Sequence, residues 1–145
     1  MGERIEGRCL CGGVTFTATP EKMEMGVCHC GMCRRWTGGT FMAVSCGESV
    51  EFAPGSPTGS YRGSAWAERI FCRNCGSTLV WQTQDGKHQT VSVQTFDDPS
   101  VFKFTSQIFI DRKPDNYEFA NETRNMTEAE IFEMFAPKPE GRKNA

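Results

Sequence analysis

Val14, Phe16 and Ala18 alternate with threonines, and residues two apart on an extended chain share one face. This pattern predicts a half-buried strand running out of Cys11-Gly12-Gly13. Apolar or β-branched runs at 40–46, 65–71, 78–83, 90–96 and 101–110 predict further strands. Asp85-Gly86 lies between two of them and predicts the tip of a hairpin joining 79–84 to 89–93. The Pro/Gly/Ser-rich stretch 54–60 reads as a loop, not a linker, because cysteine clusters flank it on both sides. Helical periodicity is clear in one place. Thr127-Glu-Ala-Glu130 forms a capping box, followed by Ile131, Met134 and Phe135 on one face. Pro137 and Pro139 end that helix, and 137–145 reads as a flexible tail. The pattern predicts a mainly β single domain over 1–136, with a short C-terminal helix packing its apolar stripe on the sheet.

A chain of 145 residues is long enough to bury one real core. Its balance of 16 Lys+Arg against 18 Asp+Glu gives a formal charge of −2, which thiolates would make more negative. That leaves no electrostatic footprint for gripping a phosphate backbone, so no nucleic acid partner is expected. No stretch approaches the roughly 20 apolar residues that span a membrane. The start, Met1-Gly-Glu-Arg-Ile-Glu-Gly7, carries charges where a signal peptide needs an apolar run, and Glu6 stands where myristoylation needs Ser or Thr. A cytoplasmic location follows as an expectation, and there eight cysteines favour metal over disulfides.

Seven of the cysteines fall in three clusters: Cys9-Leu-Cys11, Cys28-His-Cys30-Gly-Met-Cys33 and Cys72-Arg-Asn-Cys75-Gly76. Two cysteines separated by two residues face one point when the backbone between them folds into a knuckle, and Gly76 relieves the turn. Cys9 and Cys11, followed by two glycines, are its natural partner, and the four thiolates make a closed structural zinc site. Buried free cysteines would leave the paired spacings unexplained. Cys28, Cys30 and Cys33 offer three donors and no obvious fourth. His29 should point away from Cys28 and Cys30 on an extended segment, which suits a supporting or substrate-facing role better than ligation. Cys46 is the other candidate, and the remaining alternative is an open zinc on three thiolates. Such a position suits a soft sulfur ligand and predicts chemistry at a carbon–sulfur bond. Arg34 and Arg35 are candidates to bind carboxylates of a small acidic thiol, with Trp36 walling the site. Arg69 is a weaker anion-binding candidate, while Glu68 and His88 read as exposed.

At these residues the chain resembles the glutathione-dependent formaldehyde-activating enzyme family, which includes the centromere protein V group. The resemblance rests on Gly7-Arg-Cys-Leu-Cys-Gly-Gly-Val-Thr-Phe16, on Cys28-His-Cys-Gly-Met-Cys-Arg34 through Gly38, and on Arg69-Ile-Phe-Cys-Arg-Asn-Cys-Gly-Ser77. It implies a β-tent fold and two zinc ions per chain, one structural on Cys9, Cys11, Cys72 and Cys75, the other on Cys28, Cys30 and Cys33. It also implies a carbon–sulfur lyase or S-hydroxymethylglutathione-forming activity on glutathione or a related thiol adduct, and a homodimer stays open. Gln107 stands where many relatives have histidine, and Asn116 where they often have an aromatic. The competing reading is a zinc-stabilised binding module in which both metals are structural.

Overall fold

The computed structural model describes residues 2–135. Eleven strands and two helices follow one another: β1 (Ile5–Arg8), β2 (Thr15–Ala18), β3 (Glu24–Cys28), α1 (Gly31–Thr37), β4 (Phe41–Ser45), β5 (Glu51–Phe52), β6 (Thr58–Tyr61), β7 (Ala67–Cys72), β8 (Thr78–Thr83), β9 (Gln89–Ser92), β10 (Lys103–Ile108), β11 (Arg124–Met126) and α2 (Glu128–Phe135). The mainly β expectation holds. The described chain sorts into two compact units, one of residues 2–25 and 42–103, the other of 26–41 and 104–135.

In the first unit β2 pairs antiparallel with both β1 and β5. Gly7 sits opposite Phe16, and a Cβ there would fall 2.4 Å from the Thr95 carbonyl oxygen and 2.5 Å from the Phe16 ring. Only glycine fits that approach. A second set runs in the order β4-β9-β8-β7-β6, antiparallel at each step. The predicted hairpin is β8 and β9, and Gly86 at its tip takes a φ of 75°, which glycine adopts without strain. Val14, Phe16, Ala18, Leu79, Val80 and Val91 fill the core, and the first three lie on the face that their alternation predicts. Phe96 stacks edge-on to Phe16 at 5.5 Å and meets Phe102 at 5.2 Å, so the aromatic payload of the core is shared by three rings. The run at 90–96 is shorter than predicted as a strand, because Val93–Thr95 close into a 3-10 turn. The stretch 54–60 is not all loop: Thr58–Tyr61 pair with β7, and their half-buried to exposed pattern gave no apolar signal.

In the second unit the end of β3 lies beside β10, and β10 pairs in parallel with β11, setting Gln107 opposite Asn125. Gly26 permits the close approach to β10, since a Cβ there would fall 2.4 Å from Ser106 Oγ. The short helix α1 was not predicted. It begins at Cys30, ends at Gly38 with φ 80°, and buries only Cys33. The capping box of α2 is reciprocal: Glu130 N donates to Thr127 Oγ1 at 3.2 Å and Thr127 N to Glu130 Oε1 at 2.8 Å. The predicted packing of its stripe needs correction. Ile131 is buried, but Met134 and Phe135 are exposed, and Phe132 instead meets the Phe109 ring. The helix is tethered by polar bonds at its start, where Glu128 N donates to Asp111 and Arg112 pairs with Glu128, and only Ile131 is buried along it. Residues 137–145, expected as a tail, lie outside the described residues. No helix among the described residues is long and apolar enough to cross a membrane.

Candidate metal centres

Cys9, Cys11, Cys72 and Cys75 bring their four sulfurs within 4.8 Å of one another in the first unit. Two backbone knuckles achieve this. Cys9 N donates to Val14 O at 3.0 Å and Gly12 N to Cys9 O at 3.1 Å; Cys72 N donates to Ser77 O at 3.1 Å and Gly76 N to Cys72 O at 2.8 Å. Gly12 and Gly76 have φ values of 80° and 81°, a left-handed turn that a side chain would strain. Backbone N–H groups then point at sulfur: Val14 at Cys9 (3.2 Å), Gly13 at Cys11 (3.4 Å), Asn74 and Cys75 at Cys72 (3.3 and 3.4 Å). Such donors favour thiolate over thiol. Ser77 is the functional residue that sequence reading missed here. Its hydroxyl lies 3.2 Å from Cys75 Sγ and accepts from Leu10 N at 3.0 Å, so one side chain joins both knuckles. Bonding to Ser77, then to the Cys11 N–H, lowers the Cys75 thiol to about 5.

The donor set fits zinc. A zinc about 2.3 Å from each of four tetrahedral sulfurs would separate them by about 3.8 Å. Cys9 and Cys11 sulfurs stand 3.6 Å apart, and Cys11 and Cys72 sulfurs 3.8 Å. Cys9 and Cys72 are fully buried, and four soft donors on two rigid turns suit a closed site.

Cys28, Cys30 and Cys33 also lie within 4.8 Å of one another, in the second unit. Cys28 closes β3, Cys30 caps α1 by accepting from Cys33 N at 3.4 Å, and Cys33 is buried in the first turn of that helix. Packed so closely, three sulfurs resist carrying three charges. Hydrogen bonding from Cys28 and then Cys33 holds Cys30 well below the usual thiol range, while the same bond with Cys30 pushes Cys28 far up. A divalent cation resolves that conflict by letting all three be thiolates at once. No fourth histidine, cysteine or acidic atom among the described residues joins this set. Cys46 does not: it is buried in the core of the first unit, with its thiol 3.6 Å from the Val44 carbonyl oxygen.

His29 lies between two of these cysteines and is fully buried. Its Nε2 meets Gln107 Oε1 at 2.7 Å and its Nδ1 meets Tyr117 Oη at 2.8 Å, so both ring nitrogens are engaged within the unit. The ring is not among the donors that converge with the three sulfurs, and it is not exposed. Burial lowers its pKa, with help from the Lys113 and Arg34 charges and against the Gln107 bond, so the imidazole is neutral at pH 7. Arg34 donates through Nε to the His29 carbonyl at 2.9 Å, a bond in which its Nη groups take no part. Arg35 is exposed and donates to Gly31 O at 3.4 Å. Trp36 is half-buried, 5.3 Å from the Phe41 ring. Arg69 is buried on β7 in the first unit, in register between Tyr61 and Trp81, so it does not share the unit of the three-sulfur group. Glu68 is only half-exposed, held by Gln82 Nε2 at 2.8 Å, and His88 is exposed as expected. Tyr117, a partner of His29, and Thr123, a partner of Gln107, carried no sequence signal, because 88 and 16 residues of chain separate the members of these pairs.

The chain matches the family model described as glutathione-dependent formaldehyde-activating enzyme over residues 4–112. It is 38% identical over 128 residues to a Schizosaccharomyces pombe protein named as an uncharacterized lyase, covering 88% of this chain and 93% of that protein. Among solved structures it is similar to a Rhodobacter sphaeroides protein, with a TM-score of 0.58 and 22% identity over 70% of this chain and all of the other. That last likeness concerns the fold alone.

Proposed function

The chain belongs to the glutathione-dependent formaldehyde-activating enzyme family, and from that premise we propose a zinc-dependent carbon–sulfur lyase acting on S-adducts of glutathione or a similar thiol, such as S-hydroxymethylglutathione. One observation carries this reading: three sulfurs, and only three protein donors among the described residues, converge at Cys28, Cys30 and Cys33. The lyase name of the fission-yeast relative supports the reaction class. Cys9, Cys11, Cys72 and Cys75 hold a structural zinc in this reading. We treat residues 1–136 as one functional domain, supported by a family match that runs through both units. The many free thiols fit a reducing, cytoplasmic setting.

A zinc on three thiolates supplies a Lewis-acidic position that favours a substrate sulfur as thiolate. The chain's residues supply the rest. Arg34, held by its Nε on the segment that carries Cys28 and Cys30, presents a fixed positive charge for a carboxylate of the thiol. Exposed Arg35 and half-buried Trp36 lie one and two residues further along α1 and extend that surface. His29 keeps its proton at Nε2, bonded to Gln107, and takes the Tyr117 hydroxyl proton at Nδ1 as a hydrogen bond. For an S-hydroxymethyl adduct the balance is simple: the hydroxyl proton passes to water as the carbonyl forms, and the carbon–sulfur electron pair leaves with sulfur as a thiolate.

The test is a panel of glutathione S-adducts, S-hydroxymethylglutathione among them, offered to the zinc-loaded protein with free thiol as the readout. Thiol release from at least one adduct class, absent in Cys33→Ala, is expected. Silence across every class would transfer the weight to a binding module with two structural metals.

A further inference from the structure

His29 has every polar group it owns committed. Its N–H donates to Ile108 O at 3.1 Å, its carbonyl accepts from Arg34 Nε at 2.9 Å, and its two ring nitrogens meet Gln107 and Tyr117. It also stands between two candidate zinc ligands, so whatever fixes its ring fixes the backbone that carries the Cys28 and Cys30 sulfurs.

The hydrogen bonds beyond it run in one direction. Thr123 Oγ1 donates to Asn125 Oδ1 at 2.6 Å, so its oxygen accepts from Gln107 Nε2 at 2.9 Å. Gln107 is thereby oriented with Oε1 toward His29, which must offer Nε2–H, and Nδ1 is left to accept from Tyr117. The parallel register that places Gln107 opposite Asn125 makes the alignment a property of the β10–β11 pair. His29 is fully buried, so no solvent is at hand to replace a partner its ring loses. Gln107, Thr123 and Asn125 line a cleft of about 560 Å³, where the relay reaches the surface.

We propose that Gln107, oriented by Thr123 and Asn125 and acting through His29, is a positioning residue for the Cys28–Cys30–Cys33 zinc site, setting its affinity for the metal without touching it. The inference rests on reading the three sulfurs as a zinc site. Changes to partners that orient metal ligands weaken metal binding by about 10–100-fold, and a similar loss is expected here.

The experiment is competition of the zinc-loaded full chain with a chromophoric chelator, which resolves two affinities. Cys33→Ala marks which of them belongs to the three-cysteine group. Gln107→Leu should weaken that site about tenfold or more and leave the four-cysteine site unchanged. Gln107→Glu keeps an acceptor toward His29 Nε2 and should restore most of the affinity. Equal affinity in Gln107→Leu, equal weakening of both sites, or no rescue by Gln107→Glu would each overturn the proposal. If Gln107→Leu does not fold, Thr123→Val, at the cleft, takes its place; it should give the same selective loss on a smaller scale, and no loss there overturns it too. A wild-type chain that takes up no second zinc would defeat the underlying functional reading, an outcome the chelator titration separates from failure of the relay alone.

Discussion

The two thiol groups of this protein share an element and differ in how the backbone delivers it. The group in the first unit is built from two turns that mirror each other, each with a left-handed glycine and N–H groups aimed at sulfur, and Ser77 bridges them. The group in the second unit is built from a strand end and a helix start, with the Cys33 and Met32 N–H groups on Cys30 and a buried histidine bracing the middle. Two such turns would fill all four positions of a tetrahedral ion. A strand-to-helix junction delivers three donors from six residues and then carries the chain away. In the proposed reading, closure and openness would be consequences of local backbone geometry rather than of cysteine supply, since an eighth cysteine, Cys46, is spent on the core instead.

The sharpest way to break this contrast is to remove one donor from each group. Cys72→Ser should unfold the first unit and cost one zinc, seen by circular dichroism and metal analysis. Structural zinc contributes about 10–16 kcal/mol in small zinc domains, against a total stability of about 5–15 kcal/mol for a typical domain, so its loss cannot be absorbed. Cys33→Ala should also cost one zinc, yet keep a cooperative thermal transition while turnover falls by at least about a hundredfold. If both variants unfolded alike, the second site would be structural and the contrast would collapse.

Smaller changes refine it. Cys46→Ala should leave zinc content unchanged and lower stability by about 1–2 kcal/mol through the small cavity it opens, measured by urea unfolding. Loss of a zinc in that variant would make Cys46 a ligand after all. A further effect is in alkaline solution. Burial, with Glu21 adding to it, pushes the Cys46 thiol from an ordinary 9.0 up to about 12. The folded value lies above the unfolded one, so the stabilisation is complete below pH 9.0 and is lost progressively as pH rises toward about 12. The Cys46→Ala chain should show a shallower decline over that interval in a pH series of unfolding midpoints.

What the sequence disclosed follows from where the signal resides. β2, β4, β7, β8 and the β8–β9 hairpin carry their own alternation, apolar runs or turn chemistry, and β2 buries the face that its alternation predicts. Strands β6 and β11 are held by their neighbours; Thr-Gly-Ser-Tyr and Arg-Asn-Met contain no apolar period to detect. Helix α1 escaped because its start signal is a cysteine rather than Ser, Thr, Asp or Asn, and because only Cys33 is buried along it. Both cysteine groups were legible from spacing alone. The supports were not, because Gln107, Tyr117 and Thr123 meet His29 or each other across 16 to 88 residues of chain. Only pairing of β10 with β11 and packing of the segment after β10 bring them within reach.

Cys30 is both a donor and the cap of α1. A helix of seven residues is far below the roughly 12–15 that persist alone in water, so its order is borrowed from the atom at its start. With zinc on Cys30 as proposed, metal occupancy and the winding of this one peptide segment would be a single equilibrium seen from two ends. Amide exchange along 31–37 would then be a clock for how long the ion stays, with the backbone itself keeping the record of loading.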